Sequence, residues 1–175
     1  MTHLELEHQL AKAKNDAEKA QICLEAVRKE GYMLQLVPKK FRTAEVCNAA
    51  VKQNGSALEY VPEEFKTAQL CLEAVKDNGY ALKDVPENLK TTELCFEAVK
   101  ESGCAFEYVP ENLKTAEMCF EAVKENGLVL VHIPEKFKTV ELCIEAVKQD
   151  SFMIGAVPEA MEEEIKKAVG LGGEK

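Results

Sequence analysis

Apolar residues return along this chain in small groups at a constant interval. Leu94, Cys95, Ala98 and Val99 lie at i, i+1, i+4 and i+5, which places them on one stripe of an α-helix. Glu93, Glu97, Lys100 and Glu101 take the opposite side. Thr91 stands where an N-cap hydroxyl accepts from a free amide of the first turn. Glu93 suits the positive end of the helix dipole, and Lys100 suits the last turn. Gly103 is expected to end the helix in a left-handed conformation, which predicts about eleven helical residues. A second apolar series follows: Leu82, Val85 and Leu89, then Phe106, Val109 and Leu113, then Leu130, Ile133 and Phe137, each at i, i+3 and i+7. That spacing predicts a second, shorter element, either a helix of one to two turns or a 3₁₀ turn, its proline within the first turn.

The pattern repeats every 24 residues without insertion, with prolines at Pro38, Pro62, Pro86, Pro110, Pro134 and Pro158. Cysteines keep the same step at Cys23, Cys47, Cys71, Cys95, Cys119 and Cys143, and glycines do so from Gly31 to Gly127. A unit this short falls below the roughly 40 residues at which a lone core becomes possible. Its apolar stripes must be covered by the units before and after it, so the expected fold is all-α, an α-solenoid. The whole of 1–175 reads as one helical-repeat domain. Residues 1–30 form an N-terminal cap and a degenerate first unit, where Lys14 replaces proline and Lys19 replaces threonine. Asn15 or Asp16 is the expected cap there. Residues 31–157 are regular units. Residues 158–170 form a capping helix on Met161, Ile165, Ala168 and Val169, stopped by Gly170, and 171–175 are expected to fray.

The string Ala50-Val51-Lys52-Gln53-Asn54-Gly55-Ser56-Ala57-Leu58-Glu59-Tyr60, and the related runs Glu73 to Thr91 and Glu97 to Thr115, resemble the bacterial helical repeat family DUF4116. The resemblance covers roughly residues 20 to 160. This chain departs from it in using Val-Pro where many members have Ala-Ser, and in its cysteine column. What the resemblance implies is a helical repeat fold; it supplies no activity and no site. In architecture the chain is also similar to the leucine-rich repeat variant, an analogy of shape alone.

Apolar residues make up 46% and charged residues 30% of the 175, a folded composition. The net charge of −9 argues against nucleic acid as a partner, because phosphate binding needs a positive footprint. It mildly favours basic partners. No signal-peptide core is present near the N-terminus, and no apolar stretch approaches the roughly 20 residues that span a bilayer. Seven cysteines without a secretory signal point to a reducing compartment, the cytoplasm.

Disulfide, metal and acid–base chemistry each need a geometry that the repeat does not offer. Stacked helices sit about 8–10 Å apart, too far for the roughly 4.4–6.8 Å between Cα atoms that a disulfide needs. A regular ladder also cannot converge on one zinc ion. The cysteine column therefore reads as small core thiols, with Cys104, off the ladder, the thiol most open to solvent. His3, His8 and His132 have no cysteine or histidine at ligand spacing, and the glutamate columns read as solvated helix faces. No catalytic residue, metal ligand or cofactor is assigned, and the chain is not expected to be an enzyme.

The positions that vary between units are the candidates for binding. The residue after the glycine is Tyr32, Ser56, Tyr80, Cys104, Leu128 or Phe152; four further on come Leu36, Tyr60, Asp84, Tyr108, His132 and Ala156. From these, Tyr32, Tyr60, Tyr80, Asp84, Tyr108 and His132 form a candidate partner-binding edge. The competing expectation for Tyr32, Tyr80 and Phe152 is that each packs back on its own helix. The functional reading is a non-enzymatic scaffold for a protein or peptide, held at its concave or turn-edge face. The alternatives are a thiol- or metal-dependent protein built on the cysteines, and a purely structural spacer.

Overall fold

A computed structural model describes residues 2–171, and among them every regular element is helical, with no strand. The fold is an all-α array of repeats, each one α-helix followed by 3₁₀ turns at 24-residue spacing. The contacts divide the chain into two compact units, Met1–Lys90 and Thr91–Lys175. The first unit holds α1 (His3–Lys12), α2 (Asp16–Lys29), α3 (Ala44–Gln53) and α4 (Ala68–Asp77). The second holds α5 (Thr92–Glu101), α6 (Ala116–Glu125), α7 (Val140–Gln149) and α8 (Glu159–Val169).

The repeated helices form where the stripe predicts, at ten residues each. Thr43, Thr67, Thr91, Thr115 and Thr139 all cap them, each hydroxyl accepting from the amide three residues on at 3.1–3.4 Å. Asn15 caps α2, accepting from the Glu18 amide at 2.9 Å. Leu94, Cys95, Ala98 and Val99 are buried as their spacing requires, and the equivalent four residues of α3, α4, α6 and α7 are buried too. All six ladder cysteines are fully buried, so small thiols fill the close helix contacts.

The helix ends differ from expectation. Gly170 alone among the described glycines has a positive φ, 76°, and it does stop α8 as the pattern predicts. The internal glycines are not left-handed. Each helix ends one residue earlier, on an extended Asn54, Asn78, Ser102 or Asn126 whose amide still donates to the carbonyl four residues back. Glycine follows for a different reason, close approach between repeats. A Cβ at Gly103 would lie 2.6 Å from the carbonyl oxygen of Ala122, and one at Gly127 would lie 3.1 Å from that of Ala146. At Gly31 and Gly55 a Cβ would sit closer still, to the carbonyls of Ala50 and Ala74. Only a residue without a side chain lets the next helix settle there.

The second element takes the 3₁₀ form, one of the two that the spacing allows. It is two 3₁₀ segments, as in Gly55–Tyr60 and Glu63–Phe65, broken by an extended Val61-Pro62 step. Pro62, with φ −58° and ψ 143°, precedes the second segment instead of lying inside a turn, and its carbonyl accepts from the Phe65 amide at 2.9 Å. Proline has no amide to continue a helix, so the chain extends and restarts. The apolar series keeps its role: Leu58 and Val61 are buried, and Phe65 is half-buried.

At the start of the first unit α1 packs on α2 and buries Leu6. Thr2 and Glu5 close a reciprocal capping box at its first turn. In the second unit α8 packs on α7 and buries Ile165. The fraying predicted for 171–175 falls, beyond Leu171, outside the described residues.

Candidate functional site

The first 3₁₀ segment of each repeat carries the variable positions, and its start is held from both sides. Asn54 Oδ1 accepts from the Ser56 amide at 2.9 Å, and Asn78, Asn126 and Asp150 do the same two residues on. The glycine amide donates to a side chain of the following repeat: Gly31 to Gln53 at 2.5 Å, Gly55 to Asp77 at 2.6 Å and Gly127 to Gln149 at 2.8 Å. These bonds fix the register of successive repeats.

The end of the segment is held by a cation that the sequence reading passed over. Lys66 Nζ donates to the carbonyl oxygen of Asp84 at 2.9 Å and pairs with Glu63 at 2.7 Å, with its side chain only 7% exposed. Lys138 does the same with Ala156 and Glu135. Arg42 Nη1 reaches the Tyr60 carbonyl at 2.9 Å. The last carbonyls of a 3₁₀ segment have no partner within it, and a cation one repeat upstream satisfies them. The visible signal was a basic residue just before every capping threonine, from Arg42 to Lys138.

With the segment fixed at both ends, its second residue is turned outward. Tyr32 is 46% exposed, Tyr80 41%, Leu128 52% and Phe152 84%. The expectation that Tyr32, Tyr80 and Phe152 pack back on their own helices is therefore corrected: all three side chains are exposed to solvent at this position. Cys104 is exposed at the same position, as expected for the thiol off the ladder. Four residues on, His132 is exposed while Tyr60, Asp84 and Tyr108 are half-buried.

Two clefts form at equivalent places, one in each unit. In the first unit Ser56, Glu59, Asn78, Tyr80, Lys83 and Asp84 line about 60 Å³. Asn78 Nδ2 donates to Ser56 Oγ at 2.7 Å, and the Lys83 ammonium lies 5.4 Å from the centre of the Tyr80 ring. Burial raises the Asp84 carboxyl above its ordinary value; the Lys83 ammonium opposes this and Glu59 adds to it. In the second unit Cys104, Glu107, Asn126, Leu128, Val129 and His132 line about 220 Å³, and Asn126 Nδ2 donates to Cys104 Sγ at 3.2 Å. Tyr80 and Asp84 thus share one cleft, and His132 shares the other with Cys104. Tyr60 lines a separate groove with Arg42 and Pro62, and Tyr32 and Tyr108 line neither cleft.

Burial pushes the ladder thiols up: Cys47, Cys71 and Cys119 reach about 11, and Cys23 and Cys143 are raised as well. Among the described residues no three His, Cys, Asp or Glu side chains are placed to hold a metal ion. No described helix is long and apolar enough to cross a membrane.

A family model described as a domain of unknown function, DUF4116, matches residues 21–66, 69–114 and 116–162 in tandem. The chain belongs to the DUF4116 family. Each matched block holds two of the helix-plus-3₁₀ repeats, so the DUF4116 module is a repeat pair in this chain. No curated protein and no solved structure matches it.

Proposed function

We propose that this DUF4116 chain is a non-enzymatic scaffold that holds a protein or peptide partner at the turn edge of its repeats. One observation carries the reading. Of the seven exposed large apolar residues described, Tyr32, Tyr80, Leu128 and Phe152 stand at a single repeat position. The fold does not require them there, because Ser56 and Cys104 occupy that same position in other repeats. Outward apolar side chains that packing does not need are the usual mark of a contact surface. The clefts beside them differ in size and chemistry on one backbone plan, as expected where the partner sets the residues and the scaffold sets their places.

An acidic chain of net charge −9 favours partners with basic segments. Its ladder of protonated, buried thiols suits the reducing cytoplasm. The competing reading is thiol chemistry, and it rests on Cys104, which lines the second cleft with His132. The ladder thiols are inert by comparison, since the thiolate is the reactive form and burial disfavours it.

The test is selection of peptides from a displayed library on the whole chain, followed by titration of the winners against Tyr80→Ser and Leu128→Ser. At least one substitution is expected to weaken binding by about tenfold or more with helical circular dichroism unchanged. Peptides that bind both variants as tightly as the native chain would reject this edge.

A further inference from the structure

One helix of the first unit lacks a carboxylate that the other repeats carry. Glu25, Glu73, Glu97, Glu121 and Glu145 keep the 24-residue register, and Ala49 interrupts the column in α3. Beside it Asn48 stands where the others have Leu24, Leu72, Phe96, Phe120 and Ile144. Both changes remove bulk. A cleft of about 510 Å³ lies there between α2 and α3, lined by Arg28, Glu45, Asn48, Ala49, Lys52 and Gln53.

What the glutamate does in other repeats identifies what this cleft lacks. Glu121 pairs with Lys124 at 3.3 Å, and Glu97 with Lys100 at 4.0 Å, each lysine three residues on. Glu145 accepts from Gln149 Nε2 at 3.4 Å. That same nitrogen donates to the carbonyls of Val123 and Lys124 in the helix before. Helix α3 keeps both of these groups, as Lys52 and Gln53, without the carboxylate. Among the described residues Lys52 has no ion-pair partner, and Gln53 Nε2 donates to no carbonyl of α2. Gln53 Oε1 is occupied by the Gly31 amide at 2.5 Å. The one carboxylate lining the cleft, Glu45, pairs with Arg28 at 3.5 Å. Two cations therefore face one carboxylate here, whereas the same six positions hold two carboxylates between α6 and α7 and three between α5 and α6. Positive charge is in excess at this cleft, although the chain as a whole carries −9.

We infer that the cleft between α2 and α3 binds a carboxylate from outside the chain, which takes the place of the missing glutamate. Lys52 supplies the opposite charge, and the amides of Asn48 and Gln53 supply hydrogen-bond donors. The volume falls within the range of small-molecule sites. The same chemistry can arrive on a free organic acid or on an acidic side chain of a peptide. The site is built from helix faces, so it stands independently of the turn-edge reading.

Two-dimensional NMR of the ¹⁵N-labelled whole chain tests this by following the side-chain amides of Asn48 and Gln53. The probes are glutarate, the peptide acetyl-Gly-Glu-Gly-amide, and glutaramide, which has the shape of glutarate without its charge. Saturable shifts are expected with glutarate or the peptide, and none with glutaramide; the tighter of the two acids identifies the source. Lys52→Met is expected to weaken binding about tenfold or more. Ala49→Glu, which restores the residue of the other repeats, is expected to abolish it with unchanged circular dichroism. Lys76→Met, at a lysine that keeps its glutamate, is expected to bind as the native chain does. No shift with either acid, equal shifts with glutaramide, or an Ala49→Glu chain that binds as tightly as the native one overturns the inference.

Discussion

Within the second unit, Gly127–His132 and Ser151–Ala156 share one backbone plan and meet opposite fates. Both are six-residue 3₁₀ segments that begin after a side-chain-capped, extended residue. The earlier one lies under the next repeat, so its glycine sits close against a neighbouring carbonyl and its leucine is sealed from water. Among the described residues the later one meets only α8, which covers little of it; there serine replaces glycine, and isoleucine stays half in solvent. Side-chain identity at these places follows from what approaches, since the local conformation is the same in both. Covered segments constrain their residues and the open one does not.

The largest break in that comparison should come from equivalent core truncations. Leu130→Ala is expected to cost about 2–5 kcal/mol, as a sealed leucine does. Ile154→Ala is expected to cost roughly 1 kcal/mol in dilute solution, where less area leaves water. Urea unfolding of the two variants measures this, and equal losses would mean that the last segment is as covered as the one before. Next comes the glycine position. Gly103→Val forces a side chain into the Ala122 carbonyl and is expected to cost about 1–3 kcal/mol. Ser151→Val is expected to stay within about 0.5 kcal/mol. Comparable losses at both would remove the close-approach account of the glycines.

The smallest effect is a titration. A thiol whose folded pKa is raised binds its proton more tightly in the native state. Its contribution is fully present below the unfolded value near 9.0 and is lost as pH climbs toward about 11, for Cys47, Cys71 and Cys119 alike. Stability measured from pH 9 to 11 is therefore expected to fall. Cys71→Ala should fall less steeply than the native chain, and parallel slopes would contradict a buried thiol there.

Much of the fold was legible because it is local. A stripe of Leu, Cys, Ala and Val, a threonine cap and an acidic first turn act within a dozen residues, so the helices and their period follow from near neighbours alone. The variable positions were legible too, because repeats of one chain can be compared with each other. The purpose of the glycines, the half-buried Lys66 and Lys138, the pairing of His132 with Cys104 in one cleft and the partly open face at Ile154 were not. Each depends on what meets across an interface between repeats: a carbonyl of the next helix, the end of the next 3₁₀ segment, or a capping helix that covers little. Periodicity says that repeats stack, but only the stacked distances say whether a glycine turns the chain or clears the way, and whether a lysine faces water or a carbonyl.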